Sequence, residues 1–475
     1  MILNRRGIPE TPRSPNKDFK IRVERDGQIR TTEGYDLEAI GSGLVNAYKD
    51  VERLASIDSS GKTGRRQLYA LDQKKTRAIE RVSSSLTPND PIDSLLVTLK
   101  CPDTLPALGL IKHRISEDTC ITLLQNGMGV YEDICREIWP DRSTRPRFIV
   151  GSTTHGAKTQ AKMDRNTSRS IVHTGLGKIE FGVIPDSQGK GEDDQILFPS
   201  FEGMTALTPP PTPPLPLRPT GHPNLDLTLG TLLSLSDLSP SLVPVELMHQ
   251  TLLLKLAINA SINPLTAIHR VPNGQIAKDN QLRRHVRLIA EETSGIILAF
   301  LRASSSGEIP RGVQSNLEGR EASQEALRQV EPDFHPPILS PELSALFSPN
   351  SIAQRTFSVA KQTASNISSM ASHLQKGTST EIDWINGYLV KTGEKYGAGT
   401  AINRSLISMV NVAGKLVKAN ESSKKSSQRR KEEKTATRRE EARRRKVEQD
   451  KKARWEQKKK EREQEQMKQT TETVS

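Results

Sequence analysis

Residues 94–100 read SLLVTLK, residues 120–129 read CITLLQNGMG and residues 148–151 read FIVG. Each opens with a short apolar run of the length expected of a buried strand, the first bounded by Pro91 and Pro102. Between them, residues 105–113 and 130–138 have the spacing of helices. Strands alternating with helices predict a parallel α/β sheet. Two more strands are expected at 170–173 and 178–182 around a Gly-rich turn, and two upstream, at 19–22 and 28–31, around Asp26-Gly27.

Downstream the rhythm changes. Residues 185–245 break it, and 208–223 (TPPPTPPLPLRPTGHP) predict polyproline II. Pro213, Pro216 and Arg218 there form a PxxPxR pattern that SH3 domains read, although such patterns recur by chance. From 245 onward the periodicity is helical, over 245–262, 279–302, 358–374, 380–396 and 403–417, with a polar loop insertion at 303–350. The expected organisation is an α/β domain over 1–200, a Pro-rich linker over 201–244, a helical domain over 245–419 and a charged tail over 420–475. The tail is expected to be either disordered or a solvated helix.

Composition agrees with this division. The 475 residues include 69 Lys and Arg against 56 Asp and Glu, with 34% hydrophobic and 4% aromatic residues, too polar for one compact globule. Residues 421–475 hold 20 basic and 12 acidic side chains, so most of the net charge of +13 belongs to the tail. Cys101, Cys120 and Cys135 have neither CxxC nor Cys/His spacing, which argues against a disulfide scaffold or a metal site. Reduced thiols fit a cytoplasmic protein. No uninterrupted apolar run reaches the ~18–20 residues of a bilayer span, since Lys255 divides 252–258, and no membrane span is expected. Residues 1–17 lack the apolar core of a secretory signal; a mitochondrial address would have to lie upstream of them.

Residues 255–274 (KLAINASINPLTAIHRVPNG) carry the most chemical information. Helical spacing stacks Lys255, Asn259 and Asn263 as one ammonium and two carboxamides on an apolar helix. Facing a cleft, the amides can hold hydroxyl or carboxylate oxygens while the lysine donates a proton. The competing account has Lys255 snorkelling to solvent and Asn263 ending the helix before Pro264. Asn366, Ser369 and Glu381 form a second group, in which Glu381 also suits simple helix capping. Asn126, after the second strand, lies where α/β sheets bind ligands, or in an ordinary Asn-Gly turn.

Taken together, LLVTLK, LLQNGMG, STTHGA, HTGLG, KLAINASINPLTA with its PNG, and NISSM followed by TEIDWINGYLV resemble, in order and spacing, the ketopantoate reductase (2-dehydropantoate 2-reductase) family. The resemblance runs from about residue 19 to 417, apart from the insertions. It implies a Rossmann-like domain followed by a helical domain like the C-terminal domain of 6-phosphogluconate dehydrogenase, with the active site between them. It also implies NADPH-dependent reduction of 2-dehydropantoate to pantoate, in pantothenate and coenzyme A synthesis. Carried over by motif, Lys255 matches the proton donor. Asn259, Asn263, Asn273, Asn366 and Ser369 match substrate-binding positions, and Lys100, Asn126, Ala157 and Glu381 match positions that contact NADP.

The front of the chain departs from the family pattern. The family opens with a strand, a GxGxxG turn and a helix whose N-terminus holds the pyrophosphate. Gly41, Ser42 and Gly43 echo that turn, with Asn46 in place of the third glycine. The domain is therefore expected to be an incomplete Rossmann-like fold, either because the true start lies upstream or because the chain is a pseudoenzyme. A second functional reading is a reductase-like binding protein whose basic tail, around Arg443, Arg444, Arg445 and Lys446, contacts RNA or another polyanion. Against it stand twelve interleaved acids, helical pairs such as Glu440 with Arg444, and a single stacking residue, Trp455.

Overall fold

The computed structural model describes residues 2–5, 19–25, 28–38, 91–159, 168–185, 219–306 and 337–472. The chain divides into two compact units, one of Met1–Ser372 with Thr380–Val410 and one of His373–Ser379 with Asn411–Ser475.

Among the described residues the first unit holds two five-stranded sheets. One runs β10-β9-β6-β5-β4, comprising β4 (Ser94–Val97), β5 (Cys120–Leu123), β6 (Arg147–Thr153), β9 (Ile179–Val183) and β10 (Pro240–Leu242). Strands β4, β5 and β6 are mutually parallel, as the alternating pattern predicts, whereas β9 runs antiparallel to β6. Side chains alternate between the faces. Ile121, Leu123, Phe148 and Val150 enter one apolar cluster with α1 (Cys101–Ile111), α2 (Val130–Glu137) and the start of α4 (Val245–His269). Cys120, Ile149 and Phe181 enter the other, with α3 (Pro223–Leu233). Burial on both faces explains why these strands read as continuous apolar runs.

The other sheet runs β1-β3-β2-β8-β7, from β1 (Ile2–Arg5), β2 (Phe19–Arg25), β3 (Gln28–Glu38), β7 (Gly156–Thr159) and β8 (Ser168–Gly175). The expected antiparallel pairing of β2 with β3 is present. His155 links the sheets: its Nδ1 lies 3.0 Å from His173 Nε2 of β8, and its Nε2 donates to the Leu238 carbonyl, 2.9 Å away, just before β10.

Several expectations require correction. SLLVTLK is not a buried strand: β4 stops at Val97 at the sheet edge, leaving Leu96 51% and Leu99 38% exposed. Pro102 does not bound that strand but sits in the first turn of α1, where a missing N–H costs nothing. The strands at 170–173 and 178–182 exist, yet β8 and β9 belong to different sheets. The linker assigned to 201–244 is folded from 223 onward, because Leu225, Leu229 and Leu242 are fully buried against the sheet. The prolines of 208–218 and the Gly41–Gly43 echo lie outside the described residues.

The helical part comprises α4, α5 (Gln275–Lys278), α6 (Asn280–Ser306), α7 (Pro341–Leu346), α8 (Pro349–Gln362), α9 (Ser369–Gln375), α10 (Ile382–Tyr396) and α11 (Ala401–Glu472). The helix expected at 358–374 is two helices, α8 and α9, separated at 363–368. Lys255 does not interrupt α4, which is long and apolar enough by composition to cross a membrane; 61% of its most apolar stretch is nevertheless buried within the protein.

In the second unit the tail is helical, and the boundary expected at 419/420 falls inside α11. Arg444 pairs with Glu440 at 2.9 Å, the predicted i,i+4 pair, and both are exposed. Lys459 lies over one face of the exposed Trp455 ring at 5.9 Å. These contacts fit the solvated-helix alternative.

Candidate active site

Because β4, β5 and β6 are parallel, their carboxyl ends open on one edge of the sheet, where ligands of α/β folds gather. Lys100 follows β4 as the N-cap residue of α1, Asn126 follows β5, and Thr153 ends β6. Helix α4 brings Lys255 to this edge, where its Nζ donates to the Thr153 carbonyl at 3.0 Å. The snorkelling account of Lys255 is thereby excluded: the ammonium turns inward to a strand end. Asn263 does not end the helix either. It is 6% exposed, and α4 continues through Pro264 to His269, closing with Arg270 at φ +55°.

Glu381 comes to the same edge from the start of α10. It occupies the N-cap position but makes no capping bond with its side chain. Instead its Oε1 accepts from the Cys101 backbone N–H at 3.4 Å, and Cys101 Sγ donates to the Asn126 carbonyl at 2.8 Å. Capping therefore does not explain the glutamate. Its carboxylate ties α10 to the start of α1 after β4, and the Cys101 thiol carries the tie on to the loop after β5.

The electrostatics follow from burial. Desolvation lowers the Lys255 ammonium to about 8, against the opposing pull of Glu381. Glu381 is raised by burial, opposed by the Cys101 N–H and thiol and by the charges of Lys100 and Lys255. Both partners shift toward neutrality, so desolvation outweighs their mutual attraction.

The loop at 126–129 is held to α10 as well. Met128 N–H donates to the Trp384 carbonyl at 2.9 Å, and Gly127 and Gly129 adopt φ of +91° and +92°. The LLQNGMG and TEIDWINGYL segments are thus one structural junction.

A second cluster forms along the carboxyl half of α4. Asn273, 8% exposed, donates from Nδ2 to Thr363 Oγ1 at 2.9 Å and from its backbone N–H to the Asn366 carbonyl at 2.9 Å. Thr266 Oγ1 donates to Ser368 Oγ at 2.7 Å. Asn366 and Ser369 have exposed side chains, and the buried serine is their neighbour Ser368. Asn259 is half-buried on α4 between the two clusters. Ala157 stands apart: it is exposed on β7 of the other sheet, paired with His173. Buried polar atoms without a partner among the described residues include Gln125 Oε1 and Asn273 Oδ1, one in each cluster.

Sequence reasoning missed Thr153 and Cys101. Thr153 acts through its carbonyl, which leaves no side-chain signal, and Cys101 through its backbone N–H and a thiol whose pKa burial raises.

A parallel sheet whose strand ends meet a half-buried lysine and a buried glutamate from the helices that follow defines a Rossmann-like α/β class with a helical C-terminal part. The family model described as "Ketopantoate reductase PanE/ApbA" matches residues 39–186, and that for its C terminal part matches 248–413. The chain belongs to the ketopantoate reductase family of oxidoreductases. It is 23% identical over 389 residues to a probable 2-dehydropantoate 2-reductase of Schizosaccharomyces pombe, covering 80% of this chain and 91% of that protein. It is 27% identical over 318 residues to the 2-dehydropantoate 2-reductase of Vibrio cholerae serotype O1, covering 67% and 76% respectively. Among solved structures, a probable 2-dehydropantoate 2-reductase from Bacillus subtilis aligns with a TM-score of 0.41 at 19% identity, covering 83% of this chain and 85% of that one. A ternary structure of D-mandelate dehydrogenase with NADH and anilino(oxo)acetate aligns with a TM-score of 0.42 at 19% identity, covering 71% and 80%.

Proposed function

We propose that the chain reduces 2-dehydropantoate to pantoate with NADPH, with Lys255 as the proton donor. The observation that carries this reading is the half-buried Lys255 at the carboxyl end of β6, its ammonium turned inward to the Thr153 carbonyl and its pKa lowered by desolvation to about 8. An ammonium has three N–H donors, and among the described residues the Thr153 carbonyl takes one of them, leaving two for a substrate oxygen. A proton donor titrating near working pH suits general acid catalysis, and the same charge stabilises an oxyanion before the proton moves.

A reduced nicotinamide bound at this edge would supply the hydride. The fit to such a cofactor rests on the cationic Lys100 after β4, the Gly127 and Gly129 backbone after β5 and the unpartnered Gln125 Oε1 at the same edge. Asn126 and Glu381 join Lys100 as the residues proposed to hold it, with Ala157 carried over by family position. Asn259, Asn263 and Asn273 offer carboxamides for the hydroxyls and carboxylate of a 2-oxo acid, with Asn366 and Ser369 proposed alongside them. The test is 2-dehydropantoate-dependent oxidation of NADPH, followed at 340 nm; no turnover in the presence of both would overturn the assignment.

A pH dependence follows from this role. Turnover needs Lys255 protonated, so kcat should be level below about 8 and fall above it. Glu381 raises the Lys255 value, so Glu381→Gln should move this alkaline limb to lower pH while the amide still accepts from Cys101. An unchanged or rising limb in kcat–pH profiles would exclude the coupling.

A further inference from the structure

Helix α4 contains a proline nine residues beyond Lys255, Pro264, and proline has no N–H. In an α-helix that N–H would serve the carbonyl four residues earlier, that of Ala260. Ala260 is fully buried, so water cannot take the place of the missing donor.

The side chain of Asn386 fills the gap. From α10 its Nδ2 donates to the Ala260 carbonyl at 3.0 Å and also to Asn403 Oδ1 at 2.9 Å. Asn403 in turn donates from Nδ2 to Glu292 Oε1 at 2.8 Å. Glu292 also accepts the backbone N–H groups of Ile402 and Asn403, both at 2.8 Å, at the start of α11. The orientation of each amide is fixed by chemistry, since a carbonyl at one end of the chain and a carboxylate at the other can only accept. Asn386 and Asn403 are both fully buried, and the relay joins α4, α6, α10 and α11.

Its position connects it to the site. Ala260 lies five residues beyond Lys255, and Asn386 lies five beyond Glu381. The bond between them therefore pins α10 to α4 about one and a half turns from the lysine–glutamate pair.

We propose that Asn386 is a positioning residue: by supplying the donor that Pro264 withholds from Ala260, and by being tied through Asn403 to Glu292, it sets α10 against α4 and so aligns Glu381 with Lys255. This goes beyond the reductase assignment and rests on it only for the consequence in turnover.

The test is a cycle of Asn386→Leu, Pro264→Ala and the double variant in the full chain. Restoring an N–H at 264 gives Ala260 its helical donor. Asn386→Leu should therefore lower Tm by on the order of 5 °C in the native background and by clearly less in the Pro264→Ala background. Equal losses in both backgrounds would overturn the pairing of Asn386 with Ala260. Pro264→Ala provides a folded reference should Asn386→Leu alone fail to fold.

The positioning role is read from Lys255 itself, by competitive amine labelling across pH with mass-spectrometric detection. In the native chain the midpoint should lie near 8. In the double variant it should move away from the native value although Tm is largely recovered, and kcat for 2-dehydropantoate should stay reduced, by about 10²-fold. A native midpoint in the double variant would overturn the positioning role. Absence of turnover in the native chain would count against the reductase assignment alone, because the Tm cycle and the labelling need no substrate.

Discussion

Lys255→Met is expected to lower kcat for 2-dehydropantoate reduction by about 10²–10⁴, the contribution of a positioned general acid, and at the same time to make the folded chain more stable at pH 7. Methionine keeps an unbranched apolar stem of similar volume and removes a charge that the native fold holds at a cost. The loss of turnover arises because neither the proton nor the charge that stabilises the developing oxyanion has a substitute at the end of β6. Thr153 gives Lys255 its carbonyl, its hydroxyl oxygen accepts from the His155 N–H at 3.2 Å, and Glu381 is an acceptor when ionised. Steady-state kinetics with saturating NADPH would measure the loss, and a variant with full kcat would end the assignment of Lys255.

The stability gain has a defined pH window. Lys255 titrates at about 8 in the fold and near 10.5 in an unfolded chain, so the unfolded chain binds the proton more tightly. The native chain therefore carries the whole penalty below about pH 8 and sheds it as pH rises toward 10.5. The penalty is at most about 3 kcal/mol, at 1.36 kcal/mol per pH unit of separation. Urea denaturation of both proteins should accordingly show the variant ahead at pH 7 and the difference closing above pH 10. A difference that is constant across this range would show that desolvation of the ammonium is not its origin.

How far such features can be read from sequence depends on what carries them. The parallel order of β4, β5 and β6 was legible because strands buried on both faces must be apolar throughout, and Ile121 and Ile149 are completely buried on opposite faces. The edge position of β4 was not, because Leu95 and Leu96 look alike whether a neighbour covers them or not. The helix at Pro223–Leu233 is hidden in the sequence by the neighbouring prolines, which dominate local composition, although its leucines recur at helical spacing. At the site, Lys255, Asn126 and Glu381 were recognisable as side chains in motifs. Their connections run largely through backbone: the Thr153 carbonyl, the Cys101 N–H, the Asn126 carbonyl and the Ala260 carbonyl. Main-chain groups are present at every position and leave no compositional trace. Of these four, the Ala260 carbonyl alone is advertised, by Pro264, since a proline within a helix announces an acceptor that another group must serve.

Gly127→Ala tests the junction on which the whole edge depends. The residue adopts φ +91°, and a Cβ there would lie 2.8 Å from the Trp384 carbonyl oxygen and 2.9 Å from Trp384 Cβ. Left-handed backbone costs a non-glycine residue about 1–2 kcal/mol. The neighbour is the first turn of α10 and cannot swing aside as a side-chain tip would, so overpacking adds about 1–3 kcal/mol. The total, about 2–5 kcal/mol, is a large part of the stability of an ordinary domain. The natural control is Gly397→Ala, which has φ +74° but open space around its Cβ, and should lose only the backbone term of about 1–2 kcal/mol. Relief of the clash at 127 must lengthen the bond from Met128 N–H to the Trp384 carbonyl and draw α10 away from the loop after β5. Glu381, at the head of that helix, would then lose its hold on Cys101, and activity should fall with stability in the 127 variant but not in the 397 variant. Equal losses of stability from the two substitutions, by urea denaturation, would mean that the loop at 126–129 is not docked on α10 in solution, and the proposed alignment of Glu381 with Lys255 would fall with it.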